Sequence, residues 1–250
     1  MILSIRPSDP VPLLLLGIRD EFTDRPWRPP ARHWTARHRP LIGGMDEQAG
    51  GTWLAVAPDE RRVACLLNGR GTPAGPDRRR TRGELPLLAA ADGAGTLKEL
   101  LDDPGALGAY DPFHLVCADT SSVLLLSWDG TRASCLDLAP GTHVLTNAGH
   151  AYPAPRVTEP KAVHFGRKFA GASPAGAPGL PLRDAWGEWL TLADGDGLAP
   201  DAPDAIVASR VLPDGRRWGS TSQTLIALAR DGLRYDFRPV GGDWYPVPVY

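Results

Sequence analysis

A chain of 250 residues, 42% hydrophobic and 22% charged, has the composition of a globular protein long enough to bury a substantial core. Its formal net charge of −2 leaves no basic field to draw in nucleic acid or an anionic membrane surface. No apolar run approaches the roughly 20 residues that span a bilayer, and Met1–Pro7 lacks a basic region followed by a long apolar stretch. Neither a membrane span nor a signal peptide is therefore expected. Cys65, Cys117 and Cys135 all fall in strand-like runs without CxxC spacing, which predicts buried free thiols in a reducing cytoplasm rather than disulfides or a zinc site.

Short apolar segments bounded by Gly, Pro, Asp or Asn predict strands over Val11–Ile18, Thr52–Ala57, Val63–Leu67, Phe113–Ala118, Val123–Trp128 and His143–Thr146. Between them, Thr96–Leu101 predicts a short helix with Thr96 as its cap and Glu99 three residues on. Trp128–Thr131 reads as a hairpin turn of type I′, because Asp129-Gly130 supplies positive φ angles readily. Gly, Ala and Pro over 170–181 predict a loop. After it, Leu182, Trp186, Trp189, Leu190 and Ala193 form one apolar face and predict a single helix from Leu182 to Ala193. Residues 202–212 are a weaker helical segment, and Gln223–Ala229 and Leu233–Phe237 are a strand pair joined by Arg230-Asp231-Gly232. Many strands with few helices set apart from them place the chain in the α+β class.

Several short motifs follow in order: Gly17-Ile18-Arg19-Asp20-Glu21-Phe22, Gly50-Gly51-Thr52-Trp53-Leu54, Arg82-Gly83-Glu84-Leu85, Tyr110-Asp111-Pro112-Phe113 and Pro140-Gly141-Thr142-His143. Together they resemble the NRDE family, also called the Transport and Golgi organisation 2 family, with Ile18 at the place of the motif's Asn. That resemblance implies one NRDE-family domain over residues 1–250. It also implies a four-layer αββα sandwich of the kind built by N-terminal nucleophile hydrolases. The choloylglycine-hydrolase type uses an N-terminal Cys, an early Arg and Asp, two Asn and a late Arg. By resemblance, Arg19, Asp20 and Glu21 stand at the early charged motif, and Asn68 and Asn147 at the two Asn. Thr221 stands where the late Arg belongs, and Ile2 where the cysteine belongs.

The chemistry explains why those residue types recur and what this chain lacks. An N-terminal thiol attacks an amide while its own α-amine takes the proton, Asn side chains donate to the developing oxyanion, and a cation beside the thiol lowers its pKa. Ile2 has no nucleophilic atom, Met1 is expected to stay in front of so large a residue, and Ser4 is internal. N-terminal-nucleophile chemistry is therefore expected to be absent.

The segment Pro26–Pro40 carries Trp27, Arg28, Arg32, His33, Trp34, Arg37, His38 and Arg39. It reads either as a solvated loop using Arg and Trp for packing or as a flap presenting cations to a flat anionic ligand. Haem and acyl-coenzyme A are ligands of that kind, with His33 or His143 as the axial residue should haem be the cofactor. The run Arg78-Arg79-Arg80 predicts an exposed loop, and His114 and Cys117, three apart in a strand, should point to opposite faces. The favoured function is non-catalytic binding or trafficking of a small ligand, since the resemblance implies movement of haem. The alternatives are a hydrolase acting on C–N amide bonds and an interaction protein without a small ligand.

Overall fold

The computed structural model describes residues 1–35, 40–153 and 159–250, so Arg37, His38 and Arg39 lie outside the described residues. In chain order the elements are β1 (Ile2–Ile5), β2 (Leu13–Phe22), β3 (Trp27–Ala31), β4 (Ile42–Asp46), β5 (Leu54–Ala57) and β6 (Arg62–Asn68). Helices α1 (Leu85–Asp92), α2 (Ala94–Asp102) and α3 (Pro104–Leu107) precede β7 (Phe113–Ala118), β8 (Val123–Trp128), β9 (Ala133–Asp137), β10 (Gly141–Thr146) and β11 (Gly149–Tyr152). The last part holds α4 (Pro160–Gly171), α5 (Leu182–Trp186), α6 (Glu188–Ala193), β12 (Ser209–Val211), β13 (Arg217–Leu228), β14 (Leu233–Pro239) and β15 (Tyr245–Pro246). These elements gather into two compact units, residues 1–25, 140–146 and 150–249 in the first and 26–139 and 147–149 with Tyr250 in the second.

The first unit is built on a sheet in the order β11-β10-β1-β2-β13-β14-β15, with β12 on the side of β13. Alternation along each strand sends Ile2, Leu14, Leu16, Val144, Leu225 and Ala227 to one face, where they pack against Phe165 and Phe169 of α4 and against Trp186 and Trp189. Trp186 and Trp189 stack with centroids 5.9 Å apart, and Phe169 meets Trp189 edge-on at 4.9 Å. A buried ion pair enters this layer. Asp236, 1% exposed, accepts a 2.7 Å bond from the Trp186 indole and an ion pair from Arg234, whose guanidinium also reaches the carbonyls of Ala177 and Leu180. That carboxylate fastens α5 and the loop before it to β14.

In the second unit, β3 to β9 pair in sequence order as an antiparallel meander. Ala55, Ala64, Leu115, Cys117 and Leu126 face Leu85, Ala89 and Leu97 of the helices inserted between β6 and β7. Three of the motifs meet here as a clasp. Thr52 N–H donates to Gly83 O at 2.8 Å, and a Cβ on Gly51 would lie 2.4 Å from the Gly83 carbonyl carbon. Arg82 donates to Pro112 O at 2.7 Å, and the Tyr110 hydroxyl donates to Glu84 at 2.7 Å.

Several expectations are corrected. Leu182–Ala193 is two helices, because Gly187 at φ 49° closes α5 with its N–H on Arg183 O, and α6 restarts beyond it. Thr96 is 5% exposed inside α2 rather than its cap, since Gly93 at φ 66° ends α1 and opens α2. Residues 202–212 form no helix: turns fill the segment and Ser209–Val211 pairs with the edge of β13. The hairpin after Trp128 has positive φ at Gly130 alone, and the Asp129 carboxylate accepts from the N–H groups of Thr131 and Arg132, so it is not type I′. Cys65 and Cys117 are buried, their thiols pushed up to about 11 and about 12 by desolvation, but Cys135 on β9 is exposed.

Two stability measurements check these contacts. Replacing Asp236→Ala strands the Arg234 charge and the Trp186 N–H in the core, and chemical denaturation should register a loss of about 3–5 kcal/mol. Gly51→Ala forces the two backbones of the clasp apart at an expected cost of about 1–3 kcal/mol, whereas the same change at the open Gly50 turn is resisted only by its φ of 68°.

Candidate functional site

The early charged motif lies at the end of β2, where its partner β13 is irregular. Register runs evenly from Leu13↔Leu228 to Ile18↔Gln223, then shifts between Ser222, opposite Arg19, and Ser220, opposite Asp20. Thr221 is the extra residue of this bulge, the device by which a strand re-aims one side chain. Arg19 Nη1 donates to Thr221 Oγ1 at 3.0 Å, and the Thr221 hydroxyl in turn donates to the Arg19 carbonyl at 3.2 Å. Arg19 is 7% exposed, and Ser222 beside it is 1% exposed with its hydroxyl unpaired. Two of the residues singled out in the sequence are thus brought together, and Thr221 is a partner of Arg19 rather than a copy of a late Arg.

Asp20 points the other way, as successive strand residues must. Its carboxylate accepts a 2.6 Å bond from the Ser220 hydroxyl. Burial raises its pKa above the ordinary range, opposed by that bond and by the charges of Lys161 and Arg210. Glu21 accepts from its neighbour Phe22 N–H at 2.8 Å and pairs at 3.8 Å with Arg25. Ile2 is 1% exposed and belongs to the helix-side core with Leu16 and Val144. Ser4, on the same strand, is 7% exposed.

The remaining residues fall elsewhere. Asn68 ends β6 opposite Phe113, and Asn147 sits in the turn after β10; both are exposed and both belong to the second unit. Trp27 lies on the edge strand β3 and meets Trp53 edge-on at 6.0 Å, so the start of the Trp- and Arg-rich segment is strand rather than loop. His33 Nε2 is 2.8 Å from Pro29 O, Trp34 donates to Gly50 O at 3.0 Å, and Arg32 is exposed. Arg78, Arg79 and Arg80 are exposed as expected, Arg80 pairing with Glu84 at 2.8 Å. His143, 4% exposed, has Nδ1 2.9 Å from His150 Nε2, and burial followed by the His143 charge depresses the His150 pKa. The sequence held no signal for this histidine pair or for Ser220, because both depend on which strands become neighbours.

The raised pKa of Asp20 sets a pH test. Its folded form holds a proton more tightly than its unfolded form, so it lowers stability as pH rises through the shifted titration and costs nothing below the ordinary value of 3.8. Asp20→Asn, which keeps an acceptor for Ser220, should therefore stabilise the protein near neutral pH. That gain should vanish in acid; denaturation curves at pH 7 and pH 3 would show it.

A sequence profile of Transport and Golgi organisation 2 matches residues 1–172. No curated protein matches the chain in sequence. Among solved structures, a mutant conjugated bile acid hydrolase from Clostridium perfringens is similar over 99% of this chain and 91% of its own, at 10% identity and a TM-score of 0.52. At that identity the likeness is one of fold, and it establishes the α+β scaffold of N-terminal nucleophile hydrolases that the motifs implied. With the profile spanning well over half of the sequence, the chain belongs to the Transport and Golgi organisation 2 family.

Proposed function

We propose that this protein binds a small anionic molecule of the haem or acyl-coenzyme A kind, and does not cut amides with an N-terminal nucleophile. The observation that carries the reading is the place of Ile2, an alkyl side chain 1% exposed and packed into the helix-side core. No atom of it can attack a carbonyl. The bile acid hydrolase was solved with a cysteine at its second residue changed to alanine; here residue 2 is Ile, and the hydroxyl of Ser4 is enclosed in the sheet. What the scaffold keeps is a recognition group, the Arg19 guanidinium fixed by Thr221. A fixed, largely desolvated guanidinium suits the carboxylates of haem or the phosphates of a coenzyme. The buried thiols Cys65 and Cys117 suit the reducing cytoplasm in which such carriers work.

Amide hydrolysis is the second reading, favoured by the likeness of fold to a hydrolase. One set of experiments separates the two. Purified protein titrated with haem and with a long-chain acyl-coenzyme A should bind one of them saturably, and Arg19→Leu should weaken that binding about tenfold or more, the loss of one charge-assisted contact. A panel of acyl amides should release no amine with wild type, and Ile2→Cys would restore release only if the rest of a catalytic site is intact. Amine release by wild type that disappears in Asn147→Ala would overturn the proposal. Failure to bind either ligand, together with a stable dimer, would leave an interaction protein instead.

A further inference from the structure

A serine and a histidine unrelated to the early charged motif meet in the second unit. Register places His114 of β7 opposite Ser127 of β8, on the face turned away from Leu115, Cys117, Leu126 and the helices behind them. His114 Nδ1 is 2.8 Å from Ser127 Oγ. The ring also bonds the backbone of Asn147 in a sense that favours its charged form, as donation to a carbonyl does. A neutral imidazole carries one N–H, and in the tautomer protonated at Nε2 the Nδ1 that faces Ser127 holds the lone pair. The turn fits closely around the ring: Gly149 has φ 99°, and a Cβ there would sit 3.2 Å from His114 Cε1.

We propose that Ser127 is a nucleophile, with His114 as its base and the Asn147 carbonyl as the group that orients the base, acting on esters of apolar acids. A nucleophile within hydrogen-bond reach of a base that a third group holds in place is the arrangement such chemistry needs. Both side chains are half-buried, reachable yet partly shielded. Burial is the main influence on His114 and lowers its pKa, so the ring is neutral at pH 7 and able to accept a proton. Two residues along on the same face, Val116 and Leu125 are buried, whereas Leu136 on the neighbouring strand β9 is 47% exposed and offers an apolar contact for the acyl group.

In the reaction Ser127 Oγ forms a bond to the ester carbonyl carbon while its proton passes to His114 Nδ1. The adduct collapses with cleavage of the ester C–O bond, and the leaving alcohol takes that proton. Water, giving its proton to His114, then attacks the acyl-serine. The acid is released and the proton returns to Ser127, so the sum is ester plus water to acid plus alcohol.

The test uses the whole chain, a fluorophosphonate probe and p-nitrophenyl butyrate, with peptide mapping of the adducts. One phosphonyl adduct on Ser127 is expected, absent in Ser127→Ala and formed about a hundredfold more slowly in His114→Gln, the usual contribution of a general base. Thermal melting establishes that each variant is folded. Should His114→Gln fail to fold, an ester burst in wild type with the acyl group mapped to Ser127 supports the assignment. No adduct on folded wild type, an adduct on another residue, or undiminished labelling in Ser127→Ala overturns it, since a serine that merely satisfies a histidine would not react. None of these outcomes depends on whether haem or acyl-coenzyme A binds at Arg19.

Discussion

The pairing of β2 with β13 is the constraint on which the first unit depends. It joins Leu13–Phe22 to Arg217–Leu228 across some two hundred residues of sequence, and both strands are buried along most of their length. Closing so long a loop is entropically costly, though the cost grows only slowly with length, and the return comes from the apolar rows that the pairing completes. Leu14, Leu16, Leu225 and Ala227 make one continuous surface only in this register, and the aromatic side chains of α4 to α6 rest on it. A slip of one residue would turn that surface to the other face. The same pairing fixes the charged end of β2. Because the register shifts at Thr221, Arg19 gains a hydroxyl on one face while Asp20 gains Ser220 on the other.

In the second unit the motifs that identify the family serve mainly as scaffold. Gly51 and Gly83 are required where two backbones approach too closely for a side chain. Arg82 and Glu84, on either side of that contact, reach Pro112 and Tyr110 of the next motif, while Asp111 accepts from Ala74 N–H at 3.1 Å. The segment before β7 is thereby tied to the start of α1. These short motifs, far apart in sequence, form one piece of packing in this chain, joined by contacts among their own residues.

Polar groups enclosed in the first unit divide by what encloses them. Asp236 is held by Trp186 and Arg234 in an apolar layer and belongs to stability. Arg19 sits at a bulge, the kind of irregularity that aims a side chain rather than fills a core. The Arg19 guanidinium is held there by the Thr221 hydroxyl, whereas the Asp236 carboxylate is held by side chains of the apolar layer itself.

The sequence by itself determined the strands whose signals are local. Phe113–Ala118 and Val123–Trp128 fall as expected, because each is an apolar run closed by turn residues. The turn at Asp231-Gly232 does too, linking Leu228 to Leu233. The family was also readable, since its motifs are short and in order. Tertiary structure decided what depends on neighbours distant in the chain. Helix α1, a short apolar run of Leu and Ala, carries no periodicity that separates a buried helix from a buried strand, and the sequence alone predicts no element there. Thr96 reads as a cap, yet the positive φ at Gly93 moves the helix start upstream of it. Cys135 lies in a strand-like run, and only its place on the edge strand β9 exposes it. The meeting of Arg19 with Thr221, of Asp20 with Ser220 and of His114 with Ser127 follows from strand order and register. Local propensity cannot specify these, because hydrogen bonds between strands form equally well in many registers and only the burial of the whole surface selects one.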